Sequence, residues 1–202
     1  MQTESSKAKR TRQFIIQTMA GIFNQRGYAA TSLADLTAAT GLSKGSIYGN
    51  FADKQAVAVA CFEYNVGCLK AVIEPAIAAA GSFEAKLLVY VEAYQSFFAQ
   101  GYPTGGCPIL NTAIDADDTN AELKQRAAQA VLAWKNRLVE LIQGGQATGE
   151  FGGESQAEPT ALAIIALVEG GLMVAKVTDQ SVYMHLILAT VRQLIDQLKA
   201  KH

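Results

Sequence analysis

The sequence predicts an all-α protein in which a small three-helix N-terminal domain precedes a larger helical one. Three observations carry this. Apolar residues recur at helical spacing almost from end to end, and no alternating strand pattern survives inspection. Two short helical segments in the first third are joined by a tight, glycine-containing turn behind a longer first helix. Seven Lys/Arg against three acids give residues 1–60 a charge of +4, in a chain whose total is −1, so the remainder carries −5. A basic first third on an acidic body suggests a segregated polyanion-binding surface.

The first helical run is marked by Phe14, Ile15, Met19, Ile22 and Phe23, and it stops at Gly27, a natural position just past a helix end. The stretch "TSLADLTAATG" opens on Ser32, a good N-cap, with Asp35 three residues later completing a capping box and Leu33 and Leu36 giving a buried face. It ends at Gly41, and Leu42 and Ser43 lead into a short helix from Lys44 to about Asn50. A long helix is expected from Asp53 toward Leu69, with Pro75 and Gly81 as breaks beyond it, and another over Phe83–Gln100. "GYPTGGCP" is a loop by composition, and "ILNTAIDADDTN" a short helix and turn. Ala121 to about Ile142 is helical, "QGGQATGEFGGES" is a flexible connection, and helices over Glu158–Lys176 and Gln180–Lys199 finish the chain. The expected domains are residues 1–55, with the helix-turn-helix at about 32–51, and residues 56–202.

Composition excludes several classes. Of 202 residues half are apolar and 17% charged, a globular composition with enough chain to bury a core. The N-terminus "MQTESSKAKRTRQ" has no apolar run of the kind a secretory signal needs. The longest apolar stretch, "TALAIIALVEGGLMVA", falls short of ~20 residues and contains Glu169, so a buried helix is expected there and no membrane span; a cytoplasmic location is expected in turn. Cys61, Cys68 and Cys107 form neither a disulfide framework nor a zinc motif. Asp115, Asp117 and Asp118 lack the spacing and glycine of a calcium loop, which leaves a solvated acidic loop and no metal site. His185 and His202 are the only histidines, and neither a phosphate-binding glycine loop nor a nucleophile elbow is present. No enzyme and no cofactor is expected.

The stretch "GLSKGSIYGNFADK", Gly41 to Lys54, carries the chemistry. In a helix-turn-helix the second helix enters the major groove with its N-terminal residues near the base edges. Leu36 and Ile47 lock the helix pair, Leu42 packs under the turn, and Gly41 supplies a left-handed backbone there. Ser43 caps the second helix. Gly45 and Ser46 let its backbone approach DNA closely, although glycine inside a helix costs about 1 kcal/mol relative to alanine. Tyr48 and Lys54 are donors for flanking phosphates, while Lys44 and Asn50 can reach base edges.

The run "T-S-L-x-x-L…G-L-S-K-G-S-I-Y-x-x-F-x-x-K" resembles the N-terminal domain of the TetR family of bacterial transcriptional repressors over roughly Arg10 to Cys61. The resemblance implies a three-helix DNA-binding domain, a helical ligand-binding and dimerisation domain, and a homodimer on a pseudo-palindromic double-stranded operator. It carries DNA contact to Lys44, Gly45, Ser46, Tyr48, Asn50 and Lys54, and Thr31, Ser32, Ser43 and Gly49 complete the expected DNA-facing set. Thr37 stands where the family usually has alanine, and Gly49 and Asn50 replace a bulkier pair, so no operator sequence carries over. "GGCPILNTAIDADDTN" resembles a segment in the C-terminal domain of one subset of the family.

In the acidic part, Tyr90, Tyr94 and Phe97 share one helix face, with Phe98 adjoining. Buried tyrosines need hydroxyl partners, so they can line a pocket for a small apolar or amphipathic effector. Cys107, Asn111, Trp134 and Met173 are candidates to join them; plain core packing is the alternative. Met184, Ile187, Val191, Leu194 and Leu198 are spaced three, four, three and four apart, a two-heptad seam. The preceding helix, with Ile165 and Leu172, is apolar nearly all round and must be covered on every side. Together they resemble the paired terminal helices of TetR-family dimer interfaces. The function expected is a repressor released by a small-molecule effector; the alternative is a helical binding protein or enzyme whose N-terminal motif no longer reads DNA.

Overall fold

The computed structural model describes residues 6–100, 103–153 and 156–200. Among them the chain is all-α: α1 Ser6–Arg26, α2 Leu33–Thr40, α3 Lys44–Tyr48, α4 Lys54–Ala79, α5 Phe83–Gln100, α6 Pro108–Ala116, α7 Ala121–Ala147, α8 Ala157–Val177 and α9 Ser181–Asp196. Two compact units form. One runs up to Cys68 and includes Pro103–Ala128; the other takes Leu69–Tyr102 and everything from Gln129. Both divisions fall inside helices, α4 and α7. The first unit therefore holds more than the expected residues 1–55, because α6 packs on α1.

In the first unit, Ile15, Met19, Leu36 and Ile47 lose all exposure and Phe51, Val57 and Cys61 close around them. The expected capping box is present: Ser32 Oγ accepts from the Asp35 N–H, and the Asp35 carboxylate accepts from the Ser32 N–H. These hydrogen bonds from Ser32, with help from the Arg26 charge, lower the Asp35 pKa. Gly41 takes the left-handed conformation (φ 67°) that closes α2. Asp53 caps α4 through the Ala56 N–H (2.8 Å). Helix α4 is tied to α1 by Asn65, whose side-chain amide donates to the Ala20 carbonyl at 3.0 Å. Burial pushes the Cys61 thiol up to about 12, which leaves it inert.

A polar clasp holds α6 and its leading loop. The Asn24 amide donates to the carbonyls of Thr104 and Gly106, both at 2.8 Å. The Asn111 amide donates to the carbonyls of Asn24 (3.0 Å) and Gly105 (2.9 Å). The Tyr28 N–H donates to Asp115 at 2.7 Å. Gly105 has φ +95°, and a Cβ there would lie 2.9 Å from Gln25 and 3.1 Å from the Asn24 backbone, so only glycine lets the loop lie this close to α1.

In the second unit α9 packs on α8 and α5. Two helices run longer than the sequence pattern predicts. Helix α4 passes through Pro75 to Ala79, losing one helical N–H there, while Ile73 and Ile77 keep the segment buried on one side. Helix α7 continues over Gly144 and Gly145 to Ala147, where a loop was expected. The two glycines serve packing inside the helix: the Phe83 ring fills the space a Cβ would need at Gly144, and the Phe151 ring does so at Gly145. Phe151 is itself fully buried, and the segment after α7 is anchored by a bridge between Phe151 and Lys199. Glu150 then caps α5, accepting from the N–H groups of Phe83 (2.9 Å) and Glu84 (2.6 Å).

Gly145→Ala should therefore destabilise the protein by about 1–3 kcal/mol, the usual range for overpacking, because the buried Phe151 ring has nowhere to move. Chemical denaturation would show this as a lower midpoint with unchanged slope.

Candidate nucleic-acid interface and aromatic cluster

Helix α3 is only five residues long, ending at Tyr48 instead of Asn50. Its Ser43 side chain accepts from the Ser46 N–H (3.2 Å), and the buried Ile47 fixes which face turns inward. Ser43, Lys44, Gly45 and Gly49 are exposed, and Ser46 and Tyr48 half-buried. The Lys44 ammonium lies 5.9 Å from the Tyr48 ring centroid, one helical turn away.

Gly45 is the informative position. A Cβ placed there meets nothing nearer than Ser43 Oγ at 4.0 Å, and its backbone is ordinary helix. Nothing inside the protein demands glycine, while alanine would be the better helix former by about 1 kcal/mol. The smooth, exposed patch is therefore free to meet a partner outside the chain.

Three expected DNA-facing residues are engaged internally. Thr31 is fully buried and its hydroxyl donates to the Gly27 carbonyl (2.7 Å), so it offers no group to a phosphate. Lys54 donates to the carbonyls of Tyr28 (2.9 Å) and Thr31 (2.8 Å) and sits 4.0 Å from the Tyr28 ring centroid. Periodicity could not reveal this, because the partner carbonyls lie in the loop before α2. Asn50 donates to the Ser46 carbonyl (2.8 Å), capping the short helix and leaving its side-chain oxygen as an acceptor. Ser32 is exposed but serves its own helix as cap.

The expected effector residues divide. Tyr90, Tyr94, Phe97 and Trp134 come together, all buried. The Trp134 ring is parallel to Tyr94 (5.3 Å, 6°) and nearly so to Tyr90 (5.9 Å, 21°), and Tyr94 meets Phe97 edge-on at 6.0 Å. Phe98 is half-buried beside them in sequence. Cys107 and Asn111 belong to the first unit, where Asn111 is part of the clasp on α1. Met173 is 54% exposed on α8, outside the cluster. Asp115 holds Tyr28 and Asp117 pairs with Lys124 (2.7 Å), so two of the three carboxylates of the acidic loop are structural. Among the described residues no group of three or more potential metal ligands occurs.

The terminal seam divides as well. Met184, Val191 and Leu198 are fully or almost fully buried within the unit, Ile165 and Leu172 are buried with them, and Ile187 and Leu194 are half-buried. Met184 and Ile187 pack on Gly171, where a Cβ would sit 3.0 Å from Ile187. Met184, Val191 and Leu198 are thus taken up by packing inside the subunit. The outward face carries other apolar residues: Leu162, Met173 and Val177 on α8, Val182, Tyr183 and Leu186 on or near the first turns of α9, all substantially exposed. By length and composition α4 and α8 could each cross a membrane, but the apolar window of α4 is 56% buried and that of α8 33%.

A capped, glycine-bearing helix-turn-helix with an exposed recognition face defines a DNA-binding regulator. Residues 15–61 match bacterial regulatory proteins of the tetR family, and residues 84–191 match the tetracyclin repressor-like C-terminal domain. A TetR-family transcriptional regulator from Cytophaga hutchinsonii superposes with a TM-score of 0.93 at 43% identity, covering 99% of this chain and all of the other. A TetR transcriptional regulator from Chloroflexus aurantiacus gives 0.90 at 33% identity, covering 96% and 98%. The transcriptional repressor DhaR of a Mycobacterium species is 24% identical over 82% of either chain. The chain belongs to the TetR family of transcriptional regulators, whose members are not enzymes.

Gly45→Ala should leave the unfolding midpoint of the free protein unchanged or raised, and weaken DNA binding. Parallel melting and duplex-binding curves check both. A large loss of stability would mean that the glycine serves the fold.

Proposed function

We propose that the protein is a cytoplasmic, ligand-responsive repressor that binds a pseudo-palindromic operator as a homodimer and is released by a small apolar or amphipathic effector. The exposed, glycine-bearing face of α3 carries the DNA half of this reading. Lys44 and the side-chain oxygen of Asn50 serve base edges, while Ser43, Tyr48 and the exposed Lys7 and Lys9 of α1 serve phosphates. The poor burial of an apolar α8 supports the dimer. A second copy covering Leu162, Met173, Val177, Val182 and Leu186 would remove that surface from water, and the two α3 helices would then need to lie about one DNA turn apart, roughly 34–36 Å, or a multiple of it.

The aromatic cluster in the second unit supports the effector half. An effector that weakens DNA binding must itself be held more weakly by the DNA-bound form, because coupling between two sites is reciprocal. Helices α4 and α7 belong to both units by chain continuity and are the natural carriers of that coupling.

Selection of bound duplexes from a random pool tests the reading. The expected product is a two-half-site sequence whose affinity falls steeply with salt, as phosphate neutralisation requires. Recovery of no preferred duplex would favour a helical binding protein whose motif has lost DNA. Leu186→Glu should convert dimer to monomer in sedimentation while leaving the fold intact, because the residue is 60% exposed in the subunit. An unaltered dimer would place the interface elsewhere.

A further inference from the structure

Resting on the effector reading above, we propose that the ligand of the second unit is a neutral aromatic molecule bearing a carbonyl-type acceptor, which receives a hydrogen bond from the Trp134 indole N–H. The observation is an orphan. Trp134 is 8% exposed, and its Nε1 is buried with no hydrogen-bond partner among the described residues. A buried donor without an acceptor is costly, and native proteins leave few. The rings of Tyr90 and Tyr94 lie against the flat of the indole, so those contacts run face to face. What the indole has left to offer is its N–H edge.

A second orphan lies on the same helix. Arg137 comes three residues after Trp134 on α7, which puts both side chains on one helix face. Its Nε is also buried and without a partner, while its other two nitrogens reach Glu140 (3.3 Å) and Glu74 (3.2 Å). Two donors without acceptors on one face of α7, with the rings of Tyr90 and Tyr94 against Trp134, match a flat apolar body with an oxygen acceptor on its rim.

Arg137 is not a free counter-ion for an anion. Its guanidinium is already paired with the carboxylates of Glu74 and Glu140. Burial is the main cause that raises the Tyr90 pKa, and Glu74 adds to it, with Arg137 opposing and Glu140 a smaller contribution. A carboxylate ligand would meet the desolvation cost of a charge without a free counter-ion, whereas a ketone, amide or lactone oxygen would not.

Three probes of nearly one shape separate the contributions in calorimetric titrations of the intact protein: acetonaphthone, isopropenylnaphthalene and naphthoate. The ketone should bind about tenfold or more tighter than the alkene, the order expected for one buried hydrogen bond, and the carboxylate more weakly than the ketone. Trp134→Phe, which keeps an aromatic plane and deletes the donor, should erase the ketone's advantage while retaining alkene binding. Equal affinity of ketone and alkene for the wild type would overturn the acceptor proposal and leave the effector site standing. So would a ketone advantage that survives Trp134→Phe, or a preference for naphthoate. Failure of all three to bind would overturn both the proposal and the site.

Discussion

The recognition helix depends on one buried-edge contact: the Lys54 ammonium held by the carbonyls of Tyr28 and Thr31 and by the Tyr28 ring. These carbonyls belong to the turn that leaves α1 at the left-handed Gly27 and enters α2 at Ser32. The same turn is held by the Thr31 hydroxyl from within and by Asp115 of α6 from outside. Helices α1, α2, α4 and α6 therefore meet at this turn. A hydrogen bond to a charged group contributes about 1.5–3 kcal/mol and a cation–π contact about 0.5–1, so this lysine is worth more inside the protein than an exposed ion pair would be. Helix α3, with five residues and one buried side chain, has little stability of its own. Its orientation is borrowed from this framework.

The glycines separate two kinds of demand. At Gly144 and Gly145 a neighbouring ring occupies the place of a Cβ, at Gly105 the α1 backbone and Gln25 crowd it, and at Gly171 Ile187 leaves it little room. At Gly41 a positive φ fixes the residue. Gly45 has neither reason and lies exposed on the recognition face.

Local patterns made much of this legible. The capping box of α2, the turn at Gly41, the Ser43 cap and the buried Leu36 and Ile47 all arise from residues within a few positions of one another, and all are found as expected. The clustering of Tyr90, Tyr94 and Phe97 with Trp134 was suggested by helical spacing plus composition. What escaped depends on partners distant in sequence. The commitment of Lys54, the clasp of Asn24 with Asn111 and the role of Asp115 join residues 23 to 87 positions apart. Helix α9 shows a different limit. Its spacing identifies an apolar stripe, but spacing cannot say whether that stripe faces its own subunit or another. The exposed Val182 and Leu186, half a turn away from the buried Met184 and Leu188, reveal the difference only in three dimensions. Similarly, the glycine-rich stretch after Ile142 reads as flexible until the rings of Phe83 and Phe151 are placed against it.

Lys54, on this view, sets the stance of α3 from inside the protein, and phosphate contact is not its main role. Lys54→Met keeps the stem and deletes the charge. The direct measurement is the thermal midpoint of the free variant together with the salt slope of its residual binding to the selected duplex. A clearly lowered midpoint, weaker binding and an unchanged slope are expected. An unchanged midpoint with a slope reduced by about one unit, the signature of a lost phosphate contact, would contradict this role for the lysine.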